Sequence, residues 1–425
     1  MSDRTDDRPL RSIWRWIRRV LVVLLVATTQ VTLVLASGTF ASTPAQAITI
    51  ALTVSVVVVL AWTWLRTRRR HDAGRRYARA GLALGVATAL SLLVVLPTTP
   101  VPFDPPPGAL QLADGTFLAV RTMPAVDAHA DDDARAQVPL IAVHGGPGVP
   151  WTAHEERVLE RLATDRDLVV YDQVGTGGSA RLDDPSGYTF ERAVRDLEAV
   201  VESTGADRVT LLGFSWGAPV ALAFAVAHPD RVDRLVFLSP GAVPWQGVSQ
   251  PPGSPQSRLS PRDLAGLYAR ALEPRNLFAY SMTLIDTELA HRFMPDAEAD
   301  ARYRELYLAA AGGLVCDGHA VPDAPERLGH FANHGPGVER APRTGVTATS
   351  IDRLRGHPAL IVRPECDYLD AGIADAYARE LPLARVTDVA DSGHALLEEQ
   401  PDEVIAAIRA FLDEPAPGTH VAPGR

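Results

Sequence analysis

The pentapeptide Gly213-Phe214-Ser215-Trp216-Gly217 is the stretch of this sequence best suited to chemistry. An apolar strand-like run, 209–212, leads into it and an apolar helical run, 215–228, leads out. A serine on a sharp strand-to-helix turn presents its hydroxyl outward, and the flanking glycines make that turn possible. The helix aims the positive end of its dipole at the serine, and the Trp216 N–H can donate to an oxyanion. Such a serine needs a base, and the base needs an orienting carboxylate. Behind an elbow of this kind the chain order is serine, acid, histidine. Of the twelve histidines, His394 is the one that follows the last strand run just ahead of a helix. The acid should follow the preceding strand, in Arg363-Pro364-Glu365-Cys366-Asp367. Asp367 is the first choice, with Glu365 and Asp370 as alternatives. A second oxyanion donor is expected from His144-Gly145-Gly146-Pro147-Gly148, directly after the apolar run 138–143. Glycine lets the backbone approach a carbonyl closely, so Gly146 N–H is the candidate; a cis bond at Gly146–Pro147 would lock the loop.

These groups need a scaffold that brings strand ends together. Apolar runs at 138–143, 168–171, 209–212, 235–238, 359–362 and 386–389 alternate with helical patterns at 188–204, 215–228, 370–380 and 402–412. Continuous apolar strands alternating with helices predict a doubly wound, mostly parallel sheet covered on both faces. A hairpin turning at Asp114-Gly115 is expected over 109–121. The rhythm breaks between 241 and 355, where helical runs at 261–272 and 300–311 lie among many Pro and Gly residues. That insertion reads as a lid shaping the substrate pocket.

The first hundred residues are different in kind. Apolar runs near 20–40, 47–65 and 78–96 carry no charged residue apart from Arg79 at the start of the third, and match the ~20 residues a transmembrane helix needs. The region holds thirteen arginines and four aspartates. Arg8, Arg11, Arg15, Arg18 and Arg19 precede the first run, and Arg66, Arg68, Arg69, Arg70, Arg75, Arg76 and Arg79 sit about the second loop. The positive-inside rule then predicts a cytoplasmic N-terminus and an extracytoplasmic large domain in a multi-pass protein of the cell membrane. Six prolines crowd 97–107, which predicts an extended linker. The expected domains are a 1–100 anchor of three transmembrane helices, a 101–108 linker, a core of 109–240 and 356–415, and a 241–355 lid.

HGGPG at 144–148, Asp172-Gln173-Val174-Gly175-Thr176-Gly177-Gly178-Ser179, and the elbow at 213–217 together resemble the proline iminopeptidase family of α/β-hydrolases. The resemblance covers most of 108–415 and is weakest in the lid. It implies a serine aminopeptidase acting on peptides with a free N-terminal residue, whose ammonium is held by lid carboxylates; Glu298, in the stretch 290–298, is the candidate. The family pattern carries arginine where Val174 stands and glycine where Phe214 stands. The alternative with the same three residues is a carboxylesterase, lipase or acyltransferase.

The partners expected are a peptide or small ester or amide, and the lipid bilayer. The whole chain is −10, and because its first hundred residues are basic the remainder is more acidic still, which argues against nucleic acid. All 41 basic residues are arginine, a bias better ascribed to genome composition than to function. Cys316, His319, His330 and His334 mimic zinc spacing, but a serine mechanism needs neither metal nor cofactor and none is expected. An extracytoplasmic Cys316 and Cys366 could instead form a disulfide.

Overall fold

The computed structural model describes residues 8–67, 73–101, 103–126, 138–243, 253–334 and 348–415. Arg68, Arg69, Arg70 and Pro102 lie outside the described residues, as do the side chains of Arg8, Arg11 and Arg15. Along the chain come helices α1 (Arg8–Ser37), α2 (Pro44–Thr67) and α3 (Ala73–Val95), then strands β1 (Leu110–Gln111), β2 (Phe117–Leu118), β3 (Val120–Met123) and β4 (Leu140–Val143). They are followed by α4 (Ala153–Glu160), β5 (Leu168–Tyr171), α5 (Phe190–Ser203), β6 (Val209–Phe214), α6 (Gly217–Ala227) and β7 (Val232–Leu238). Four helices succeed them: α7 (Pro261–Ala271), α8 (Pro274–Ile285), α9 (Thr287–Phe293) and α10 (Asp296–Ala310). The chain closes with β8 (Ala359–Pro364), α11 (Ala371–Glu380), β9 (Ala384–Val389) and α12 (Pro401–Leu412). Single helical turns between these elements carry no label.

Two units form. One comprises 100–271 and 296–425, and its heart is a seven-stranded sheet in the order β3-β5-β4-β6-β7-β8-β9. Only β3 pairs antiparallel, at one edge; every other pairing is parallel. The inner strands are apolar without alternation because both faces are covered. Leu140 and Ala142 join Leu212, Val236, Leu360, Ile405, Ile408 and Phe411 in one core layer. Opposite, α6 is buried from Gly217 to Val226, and α5 turns Phe190, Leu197, Val200 and Val201 inward. Thr189 begins α5 by accepting from the Arg192 N–H at 3.1 Å. The hairpin forms as β1 against β2 around Asp114-Gly115.

Of the stretch expected to form the lid, α7 and α10 belong to this unit. Arg181, in the loop after β5, pairs with Asp300 of α10 at 2.9 Å with both side chains largely buried. Arg181 and Arg327 also place their guanidinium groups 5.0 and 4.9 Å from the Phe103 ring centroid, so the latter half of the linker is held by the sheet unit. Cys316 and Cys366 are joined in a disulfide with Cα atoms 5.6 Å apart, tying the lid to the loop of Asp367.

The other unit comprises 1–99 together with 272–295. Three of its helices, over Trp16–Ser37, Pro44–Thr67 and Ala73–Val95, are long and apolar enough to cross a membrane. At 1.5 Å per residue each exceeds the ~30 Å hydrocarbon core. Small residues four apart let them approach closely: Ala47, Ala51 and Ser55 on α2, Ala87, Ser91 and Val95 on α3 are buried or nearly so. Gln30 of α1 donates to Thr88 at 3.0 Å and accepts from Ser91 at 2.9 Å, satisfying an amide away from water. The expectation of one continuous lid over 241–355 meets a difference here: α8 and α9 pack with α1–α3. The reason is local. Phe278, Ala279, Met282, Leu289 and Phe293 bury one apolar face, and a side-chain carbon on Gly38 would sit 2.9 Å from Met282 Sδ, so glycine makes that approach possible.

Two outcomes follow. Denatured, unreduced protein should yield no free thiol, and reduction should lower the stability of the sheet unit by roughly 2–4 kcal/mol in denaturant titrations. Asp300→Ala leaves Arg181 buried without its carboxylate and should cost about 3–5 kcal/mol in the same assay.

Candidate active site

The turn after β6 is the first fixed point. Ser215 has φ 51°, a left-handed conformation that few non-glycine residues adopt. Its N–H donates to Leu238 O at 2.9 Å, and its carbonyl accepts from Ala218 and Gly241 at 3.0 and 2.9 Å. The glycines on either side have no alternative. A Cβ at Gly217 would lie 2.1 Å from Val143 O, and one at Gly213 would lie 2.6 Å from Ala218 Cα.

Ser215 Oγ is 3.0 Å from His394 Nε2. His394 Nδ1 is 3.0 and 3.2 Å from the two Asp367 oxygens. With the ring proton on Nδ1 directed at Asp367, Nε2 is free to accept from the serine hydroxyl. The three side chains come from the ends of β6, β8 and β9, separated by 152 and 27 positions in sequence. The alternatives are placed elsewhere: Glu365 accepts from Asp391 N–H at 2.9 Å, and Asp370 caps α11 by accepting from Gly372 N–H at 2.7 Å. Burial alone would raise the Asp367 pKa. The charge and hydrogen bond of His394, the Leu369 N–H at 3.0 Å and the Ser239 hydroxyl outweigh it and hold the carboxyl below its ordinary range.

Two neighbours had no sequence signal. Ser239, just beyond β7, donates to Asp367 Oδ2 and lies 2.9 Å from His394 Nδ1. Tyr368 places its hydroxyl 3.5 Å from His394 Nε2 and its ring centroid 4.5 Å from the imidazole. Phe214 packs the other way, 5.1 Å from His394, with Trp151 stacked behind it at 5.6 Å. The imidazole is thus steered by two aromatic rings as well as by Asp367. Only the folded topology brings positions 239 and 368 to it.

The HGGPG loop runs against the elbow, so that a Cβ at Gly145 would lie 3.1 Å from Ser215 Cβ. Gly146 has φ 111° and the Gly146–Pro147 bond is cis. His144 is fully buried and holds the loop from below. Its Nε2 accepts from Gln173 N–H at 2.9 Å, and Gln173 Nε2 donates to His144 O at 2.8 Å. Burial pushes its pKa down to about 4, so the ring stays neutral and can accept that bond. Asp172 bridges Arg121 at 2.9 Å and Gly178 N–H at 2.7 Å, a structural duty.

The structure does not bring Glu298 to these groups through any described contact; its carboxylate accepts from Arg302 Nε at 2.7 Å, one turn along α10. Cys316 spends its sulfur in the disulfide, and His319 meets Asp391 at 3.0 Å. A cavity of about 740 Å³ opens beside Trp151 in the same unit, but Ser215, His394 and Asp367 do not line it.

A sequence model described as the alpha/beta hydrolase fold matches residues 138–401. The chain is 31% identical over 282 residues to a proline iminopeptidase of Lactobacillus delbrueckii subsp. bulgaricus, covering 62% of this chain and 85% of that protein. It is 26% identical over 282 residues to a cis-3-alkyl-4-alkyloxetan-2-one decarboxylase of Shewanella oneidensis, covering 65% and 82%. Among solved structures, a proline iminopeptidase of Mycobacterium smegmatis aligns with TM-score 0.45 and 21% identity, over 72% of this chain and 96% of that one. With the parallel sheet and its strand-end loops already described, the chain belongs to the α/β-hydrolase fold family and is proline iminopeptidase-like within it.

Proposed function

We propose that this chain is a membrane-anchored serine hydrolase, an aminopeptidase of the proline iminopeptidase type that releases N-terminal residues from peptides. The observation that carries the reading is the line Ser215 Oγ, His394 Nε2, His394 Nδ1, Asp367 Oδ1, with both gaps at 3.0 Å. Ser215 Oγ attacks the scissile carbonyl carbon while its proton passes to His394 Nε2. Asp367 orients the imidazole and stabilises its charged form. The N–H groups of Gly146 and Trp216 receive the oxyanion. His394 returns the proton to the departing amine, and water, deprotonated by the same imidazole, releases the acyl group from Ser215. Ser239 is a positioning residue for Asp367 and His394.

The peptide substrate is supported by the 31% identity to the Lactobacillus iminopeptidase. Glu298 is the proposed holder of the substrate ammonium, a role it would share with its bond to Arg302. A carboxylesterase, lipase or acyltransferase is the second reading; it is favoured by that same bond, which engages the Glu298 carboxylate with Arg302. Anchoring is supported by the three apolar helices, and their flanking arginines favour a cytoplasmic N-terminus with the hydrolase outside. The disulfide suits an oxidising compartment.

The test uses the full chain in detergent or lipid discs, with proline and alanine arylamides set against short acyl esters. Ser215→Ala should lower turnover by at least about 10⁴-fold on whichever substrate is cleaved. Arylamide cleavage supports the aminopeptidase, and Glu298→Gln should then raise KM for arylamides while leaving ester hydrolysis alone. Cleavage of esters only would replace it with the second reading. Ser239→Ala removes a donor that helps depress the Asp367 pKa, so the carboxyl should protonate at higher pH. At pH 7 kcat/KM should fall by less than about tenfold. Because a depressed carboxyl stabilises the fold above its unfolded pKa and loses that contribution as pH falls, the variant's stability deficit should be present at pH 7 and vanish in acid. A stability deficit that persists unchanged in acid would deny Ser239 this role.

A further inference from the structure

The helix α8 carries two apolar faces, and among the described residues only one of them is covered by protein. Phe278, Ala279 and Met282 are buried against the ends of α1 and α3 and against α9, where Phe278 meets Phe293 edge-on at 5.2 Å. On the other side Leu277, Tyr280 and Leu284 follow one another at helical spacings of three and four, with relative exposures of 49, 38 and 75%, and Ile285 extends the same surface. From Asn276 to Ile285 the helix has no charged residue. Charges stand only at its borders, Glu273 and Arg275 before it and Asp286 after it. The exposed side of α9 is opposite in character, with Glu288 and Arg292 paired across one turn.

The depth of this helix in its unit is fixed by the spans. Met282 sits on Gly38, immediately beyond the end of α1. Arg275 donates to Val94 O at 2.7 Å, at the last turn of α3, and to Phe293 O at 2.8 Å. Arg292 donates to Ser42 O, just before α2. Three span ends on one side of the helical bundle therefore meet α8 and α9. Trp16–Ser37 is 22 residues, about 33 Å of helix against ~30 Å of hydrocarbon. That length places α8 at the boundary between acyl chains and headgroups. Phe40, 69% exposed in the turn after α1, stands at the same level.

We infer that the Leu277–Tyr280–Leu284 face of α8 is a membrane-surface contact, seated in the interface of the bilayer that α1–α3 cross. It lies beside the ends of α1 and α3, is free of charge, and carries a tyrosine, whose ring and hydroxyl suit the interface. The residues before and after the α8–α9 pair, Ala271 and Asp296, belong to the hydrolase unit, so part of the lid is a lipid-anchored element. The inference rests on reading α1–α3 as membrane spans.

The experiment places an environment-sensitive fluorophore on single cysteines of the full chain in phosphatidylcholine–phosphatidylglycerol discs: Leu284→Cys and Leu277→Cys on α8, Leu82→Cys on α3 as a span reference, and Leu383→Cys in the hydrolase unit as an aqueous reference. Nitroxide-labelled lipids supply the quencher. Quenching at 277 and 284 severalfold above that at 383, strongest with the nitroxide near the headgroup, is the expected result. Quenching at 82 but only the 383 level at 277 and 284 overturns the inference and leaves the spans intact. Probes at 277 and 284 shielded from water yet unquenched by lipid also overturn it, because protein would then cover the face. An unquenched probe at 82 removes the spans and the inference together.

Discussion

The site hangs on one backbone constraint: Ser215 must hold a left-handed conformation between a buried strand and a buried helix. Nothing in its own side chain favours φ 51°. The surroundings impose it, through the hydrogen bonds from Ser215 to Leu238 and from Ala218 and Gly241 to its carbonyl, and through the space that glycine leaves at 213 and 217. Because β4 passes within 2.1 Å of where a Cβ on Gly217 would be, the elbow and the HGGPG loop are parts of one packing problem. The strand order puts β4, β6, β7 and β8 side by side, and their carboxyl ends deliver the HGGPG loop, Ser215, Ser239 and Asp367 to one place.

Around that point polar groups are arranged to keep charges where they are useful. Asp367 stays ionised in a buried position because His394, Ser239 and the Leu369 N–H all favour its anion. His144 is treated in the opposite way: burial keeps it neutral, which lets it accept from Gln173 and clamp two loops together. Two histidines in one site thus serve different ends, one beside a carboxylate and one away from solvent.

Much of this was legible in the residues. The inner strands announce themselves because a sheet covered on both faces needs continuous apolar runs, and β5 falls on 168–171 as read. The edge strands were harder: β3 was taken as the end of a hairpin, and its mixed burial gives no such signature. The Ser215, His394 and Asp367 positions were readable because strand-end loops in a known chain order narrow the choice. Ser239 and Tyr368 were not, since a lone serine or tyrosine after a strand has no spacing that marks it. The α8–α9 pair falls within 241–355, which reads as a lid because the strand–helix rhythm breaks there; Phe278, Met282, Leu289 and Phe293 have the spacing of any core-facing helix, and sequence periodicity says which face is buried, not what buries it.

The placement of residues 272–295 changes what it means to separate the hydrolase fold from the three N-terminal helices. A cut in the proline-rich linker would sever the peptide chain between α3 and Phe103, yet the catalytic fragment would keep α8 and α9. It would still grip α1–α3 through Met282 on Gly38 and Arg275 on the Val94 carbonyl, without a covalent bond. The fragment made alone would instead bare Phe278, Met282, Leu289 and Phe293 to water. Such a surface seeks detergent, lipid or another copy of itself, so a truncated form that aggregates would report the loss of three helices rather than a failure of the hydrolase to fold.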